Sequence, residues 1–166
     1  MRSLINWVHS LVYVVKGARA MRKHDDDGVI ENYSRAIEIS PEDLDYYYAR
    51  GHAYWHKGEL GMAIADFSKA IELYPGDIYA YLVRGALYHE KGFTAQAIRD
   101  FDFVLDTSNG FALAFYLRAK SYAEQKDYER AVADLDQALE NDPHHEKALE
   151  LKAWCTGQMK SDGAGK

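Results

Sequence analysis

Apolar and polar residues along this chain recur at helical spacings of three and four, not in strand-like alternation. Between Leu44 and Asp77, one stretch carries Tyr47, Gly51 and Tyr54 and the next carries Ala63, Phe67 and Ala70. A break at Lys57, Gly58 and Glu59 separates them, and Pro75 and Gly76 end the second. Large residues on one predicted helix therefore oppose small ones on the other: one leaves notches and the other fills them. The pattern returns in phase. Residues 78–111 give Tyr81, Gly85, Tyr88, Ala97 and Phe101, with Val104 for the later Ala and Asn109 for the Pro. Residues 112–145 give Phe115, Ala119, Tyr122, Ala131, Leu135, Ala138 and Pro143. Residues 10–43 keep Tyr13, Gly17, Tyr33, Ala36 and Pro41, but Ala20 stands for the second Tyr and Val29 for the first Ala. After Pro143, a last predicted helix with Leu149, Ala153 and Trp154 has no partner behind it.

This order of aromatic, glycine, tyrosine, alanine, phenylalanine and proline, repeated every 34 residues, resembles the tetratricopeptide repeat (TPR). The resemblance spans roughly residues 10–158. It implies an all-α, right-handed superhelical solenoid of antiparallel helix pairs. Its expected parts are an apolar N-terminal extension (1–9), a degenerate first repeat (10–43), three further repeats (44–77, 78–111 and 112–145), a C-terminal capping helix (146–158) and a flexible tail (159–166).

In the TPR family the first helix of each repeat faces a concave groove that holds a partner. Carried onto this chain, the groove implied by the resemblance presents Tyr48, His52, Trp55, Tyr79, Leu82, Val83, His89, Leu113, Tyr116, Leu117, Lys120 and Trp154, an apolar and aromatic set. TPR domains that hold the acidic end of a chaperone resemble one another in a clamp of Lys and Asn. Val14, Ala18, Ala49, Tyr79 and Val83 occupy those places here, so a carboxylate clamp is not expected. The implied partner is a protein or peptide, an amphipathic helix or an extended segment with large apolar anchors. The expected function is a non-catalytic interaction module, an adaptor or assembly scaffold.

A second regularity lies in the charges. Arg50, Arg84 and Arg118 precede each notch residue, and Asp66, Asp100 and Asp134 follow them by 16 residues. Repetition at one spacing predicts structural ion pairs between the two helices of a repeat, a register-setting device and not a basic ladder for ligand.

Charge also divides the chain. The net charge is −6, yet residues 1–23 hold Arg2, Lys16, Arg19, Arg22 and Lys23 and no acid, so the first 23 residues carry +5 and the remainder −11. An acidic body does not suit nucleic acid, whose phosphates need a basic surface. Between Arg2 and Lys16, residues 3–15 are too short to span a bilayer as a helix. Lys16 and Arg19 also stand where a signal-peptide cleavage site is uncharged. On a helical wheel Leu4, Ile5, Val8, Leu11, Val12 and Val15 share a face that the repeat pattern does not use. That stripe suits three roles: covering the end of the stack, pairing with a second copy as a homodimer, or contact with an anionic membrane. A self-assembling or membrane-associated scaffold is thus the alternative function.

Catalytic and metal chemistry gain little support. No phosphate-cradling glycine loop or nucleophile elbow is present, and the carboxylates follow the repeat phase instead of converging, so no enzyme and no cofactor is expected. His52, His56, His89 and Glu90 can be drawn as a metal cluster, but histidines on an aromatic binding surface are commoner than metal sites, and no metal is expected. Asp25, Asp26 and Asp27 read as helix caps. The single Cys155 excludes an internal disulfide, reads as a small apolar residue, and leans toward a reducing, cytoplasmic setting.

Overall fold

A computed structural model describes residues 2–108 and 111–164, with side chains for 8–108 and 111–161. Among the described residues there are nine helices and no strand: α1 (Arg2–Met21), α2 (Asp26–Ile39), α3 (Leu44–His56), α4 (Leu60–Leu73), α5 (Ile78–Glu90), α6 (Thr94–Thr107), α7 (Ala112–Glu124), α8 (Tyr128–Asn141) and α9 (Glu146–Ala164). Asn109, expected to end the third repeat, lies outside the described residues, as do the side chains of Leu4 and Ile5 and the last two residues of the expected tail. The chain forms two compact units, residues 1–80 and 81–166.

Two expected boundaries change. Residues 2–9 are not a separate extension but the opening turns of α1, continuous with the first repeat. The C-terminal helix does not stop at 158: α9 runs on to Ala164, so most of the expected tail is helical. Met159 and Lys160 are good helix formers and nothing there breaks the ladder.

In the first unit, α1 packs on α2, α2 on α3 and α3 on α4. The contact between α1 and α2 is made by a notch and a ring, because a Cβ on Gly17 would stand 2.6 Å from the Tyr33 ring. Ala20, Val29, Tyr33, Ala36, Tyr46 and Ala53 form the buried core beside it. Between α3 and α4 the same device uses Gly51 and Phe67, where an added Cβ would meet the ring at 3.0 Å.

In the second unit the pair is Gly85 and Phe101, at 2.7 Å. The last repeat replaces both members at once: Ala119 takes the glycine's place and Leu135 the phenylalanine's, and both are fully buried in one cluster with Tyr122, Ala131, Ala148 and Cys155. A larger notch residue faces a smaller filler, so total volume is kept, which cores tolerate best. Helix α9 closes this unit against α8.

Helix ends explain the phase. His24, Gly58, Gly92 and Lys126 recur every 34 residues and all have positive φ, between 55° and 82°. Each closes a first helix with the same paired bonds: Gly58 N–H donates to Trp55 C=O at 2.9 Å and Glu59 N–H to Tyr54 C=O at 2.9 Å, and the pattern repeats at Asp25, Phe93 and Asp127. Such left-handed caps favour glycine, and a side chain there costs about 1 kcal/mol. Lys126→Gly is therefore expected to raise the unfolding free energy by about 1 kcal/mol, seen as a higher urea midpoint at constant m. An unchanged midpoint would mean that Lys126 offsets its strain through its side chain. Aspartate N-caps begin α2 and α8: Asp25 accepts from Gly28 N–H at 3.0 Å and Asp127 from Arg130 N–H at 3.1 Å.

Candidate interaction surface

The scaffold under the surface is fixed by arginine. Arg50 donates to both oxygens of Asp66, from Nε at 2.9 Å and Nη2 at 2.6 Å. Arg84 grips Asp100 at 2.8 Å through both, and Arg118 grips Asp134 at 2.8 and 2.7 Å. Every guanidinium also lies between two aromatic rings of its own helix, three residues before and four after it. Arg50 has Tyr47 and Tyr54, Arg84 has Tyr81 and Tyr88, and Arg118 has Phe115 and Tyr122, at 5.3–5.9 Å from the ring centroids. Their hydrogen bonds to aspartate outweigh or reinforce other influences and hold Arg50 and Arg118 fully protonated. Sequence spacing did not single out the third partner. Arg50 also reaches Ser34 Oγ at 3.0 Å and Arg118 reaches Asp102 at 2.6 Å, each 16 residues upstream. The same interval read backwards was the available signal.

On this frame the first unit brings together Tyr48, His52, Trp55 and Tyr79. The Tyr48 and Tyr79 rings meet edge to face with centroids 5.5 Å apart, and His52 stacks near Trp55 at 6.1 Å. Phe67 underlies both Tyr48 and His52, at 5.7 and 5.1 Å. His52 Nε2 and Tyr79 Oη are 2.8 Å apart. Burial pushes the His52 imidazole down, helped by neighbouring His56, and burial pushes the Tyr79 phenol up, so both are neutral at pH 7. Tyr48 Oη donates to the Asp77 carboxylate, which also accepts from Ala80 N–H at 3.2 Å and so ties the start of α5 to α3. Asp77 went unnoticed in the sequence because it lies in a turn, outside the helix phase. Tyr79 stays about half exposed at the rim.

In the second unit Tyr116, Leu117 and Lys120 on α7 are half-buried and Leu113 and Trp154 are exposed. A cavity of about 420 Å³ opens between α7 and α9, lined by Tyr116, Lys120, Lys147, Glu150, Leu151 and Trp154. His145, just before α9, packs its ring 4.7 Å from that of Tyr116 and accepts from Ala148 N–H, so it belongs to this surface. The Trp154 ring stands edge-on to Tyr128 at 5.6 Å.

Three expected groove residues are not available. Leu82 and Val83 are buried, their short side chains covered where a ligand would have to reach them. His89 is buried against α7, with Nδ1 3.0 Å from Ser121 Oγ and Nε2 3.3 Å from the Glu124 carboxylate, and burial lowers its pKa. The next repeat's first helix has taken it up as a packing residue.

Among the described residues no group of three or more His, Cys, Asp or Glu is placed to hold a metal ion. His56 faces Asp26 at 3.3 Å instead. Cys155 is fully buried and burial pushes its thiol up, away from reactivity. Among the described residues no helix is long and apolar enough to cross a membrane.

Known proteins share the repeat and the fold. The family model described as Tetratricopeptide repeat matches residues 44–77 and 112–145, and a model described as TPR repeat matches residues 25–58. The chain belongs to the tetratricopeptide repeat family. Solved TPR structures superpose on it over most of its length. The MamA 41-end structure from Desulfovibrio magneticus RS-1 is 18% identical, covers 91% of this chain and 85% of its own, and has a TM-score of 0.87. YrrB, a TPR protein with an unusual peptide-binding site, is 25% identical over 87% of this chain and 74% of its own, with a TM-score of 0.81. The first TPR of Spaghetti (RPAP3), solved bound to an HSP90 peptide, is 18% identical over 70% of this chain and 93% of its own, with a TM-score of 0.68. At these identities MamA and Spaghetti share the TPR fold with this chain. No curated protein matches the chain in sequence.

Proposed function

We propose that this TPR chain is a non-catalytic protein-interaction module, an adaptor or assembly scaffold of the cytoplasm, that takes a helix or extended peptide against the aromatic faces of its first helices. TPR membership and the peptide-binding site of YrrB support the class of partner. The observation that carries the finer reading is the cluster of Tyr48, His52, Trp55 and Tyr79, large rings held rigid by Phe67 and Asp77 yet reachable at the rim. Rigid aromatic side chains supply contact area at small entropic cost and dominate binding energy. Tyr116, Leu117, Lys120, Leu113 and Trp154 offer a second such surface in the other unit. Arg50, Arg84 and Arg118 take no part in recognition, because their donors are engaged by Asp66, Asp100 and Asp134.

Peptides selected against the chain from a random phage-displayed library test this. Tyr79→Ala is expected to weaken peptides held at the first surface, and Tyr116→Ala those held at the second, each by about 30-fold in calorimetry, the equivalent of ~2 kcal/mol for a lost anchor, while circular dichroism and melting stay unchanged. Selected peptides indifferent to both variants would move the binding site elsewhere.

A further inference from the structure

A surface independent of the proposed peptide site lies on α1. This helix has 20 residues against 14 in its partner α2, so it outreaches α2 by roughly 9 Å at a rise of 1.5 Å per residue. Ser10, Gly17 and Ala20 turn inward and are buried. The opposite face carries Val8, Leu11, Val12 and Val15 at 46%, 41%, 49% and 58% exposure, an apolar stripe at spacings of three and four. Isolated exposed valines are ordinary; a contiguous row of four on one helix face is a docking surface.

The charges at the end of the stripe identify its occupant. Arg19 continues the same face one turn beyond Val15, and Lys16, Arg19 and Lys23 line a cavity of about 230 Å³ with Ala20, Asp25, Gly28 and Asn32. One carboxylate, Asp25, lines the same hollow, and Asp26 and Asp27 follow it in sequence. Asp25 accepts from Gly28 N–H, Asp26 faces His56 and Asp27 pairs with Lys57. The row of apolar side chains thus ends beside three cations, Lys16, Arg19 and Lys23, that line one hollow. A second copy of α1 is a poor match, since residues 1–23 carry +5 and would face their like.

We propose that the exposed face of α1 lies on an anionic phospholipid surface, with Val8, Leu11, Val12 and Val15 in the headgroup–acyl boundary and Lys16, Arg19 and Lys23 on lipid phosphates. Apolar contact and attraction to anionic lipid act together in such helices, and neither alone gives stable binding. The helix lies on the membrane and does not cross it, because among the described residues no helix is long and apolar enough to do so and Lys16 and Arg19 interrupt this one.

The test is co-sedimentation of the full chain with vesicles of phosphatidylcholine alone and of phosphatidylcholine mixed with phosphatidylserine, at low and high salt. Binding is expected only to the mixed vesicles and is expected to fall with salt. Lys16→Gln with Arg19→Gln removes two cations and is expected to weaken it about 25-fold, roughly five-fold for each charge. Val8→Glu with Val15→Glu, both at exposed sites, is expected to abolish it with the helical circular dichroism unchanged. Equal binding to neutral vesicles, binding indifferent to either pair of substitutions, or none to any vesicle would overturn the proposal. So would a concentration-dependent dimer in sedimentation velocity that Val8→Glu with Val15→Glu dissolves while vesicles are ignored, since the stripe would then be covered by a second copy.

Discussion

Phe101→Ala is expected to lower the unfolding free energy by about 4 kcal/mol, the middle of the range for a buried aromatic. The Phe101 ring is fully buried and fills the place where Gly85 leaves no side chain, so truncation opens a cavity that two rigid helices cannot collapse. The size of the loss separates this ring from its neighbour Phe103, which is only half-buried and stacked on Tyr81 at 3.9 Å. The last repeat supplies an internal check. Gly85→Ala alone forces a Cβ to 2.7 Å from the Phe101 ring and is expected to destabilise by overpacking. Adding Phe101→Leu rebuilds the Ala119 and Leu135 arrangement and is expected to recover part of that loss. Additive effects in urea melts would mean that the two sites are not one packing unit.

Arg118→Met is expected to cost about 3 kcal/mol, because it leaves the Asp134 carboxylate buried without its bidentate partner. The side chain of Asp134 is only 8% exposed, so water cannot replace the guanidinium. Arg118→Lys is expected to recover little: one ammonium cannot span both Asp134 oxygens, reach Asp102 and stay flat between Phe115 and Tyr122. Asp134→Leu added to Arg118→Met is expected to restore most of the stability, since replacing a buried pair by apolar groups is often neutral. If the single substitution were silent in urea melts, the pair would be ornament on a fold held elsewhere.

Much of the fold was legible because it depends on intervals within one chain. Gly51, Gly85 and Ala119 recur with Phe67, Phe101 and Leu135 at a fixed distance, and volume exchange between them needs no knowledge of the third dimension. The ends of the array were harder. Nothing in residues 2–9 marks a helix start distinct from α1, and nothing after Gln158 stops α9, so boundaries set by the repeat phase missed continuous helix on both sides. The surface was legible only in part. Repeat phase puts Tyr79 and His89 on the same kind of face, yet Tyr79 is at a rim and His89 lies under α7 against Ser121. Which side chain a neighbouring repeat covers depends on what that repeat presents, here a small serine that lets the imidazole in. Asp77 and Ser34 act through hydrogen bonds that apolar periodicity does not record.

Whether the aromatic face of the first helices receives the partner is decided by amide hydrogen exchange of the full chain, free and saturated with a library-selected peptide. Added protection is expected in residues 44–56 and around Tyr79, in α7, or in both, with α4 and α8 unchanged. Protection confined to α4 or α8, with the surroundings of Tyr48, Trp55 and Tyr116 exchanging as before, would place the partner on another face and rule this site out.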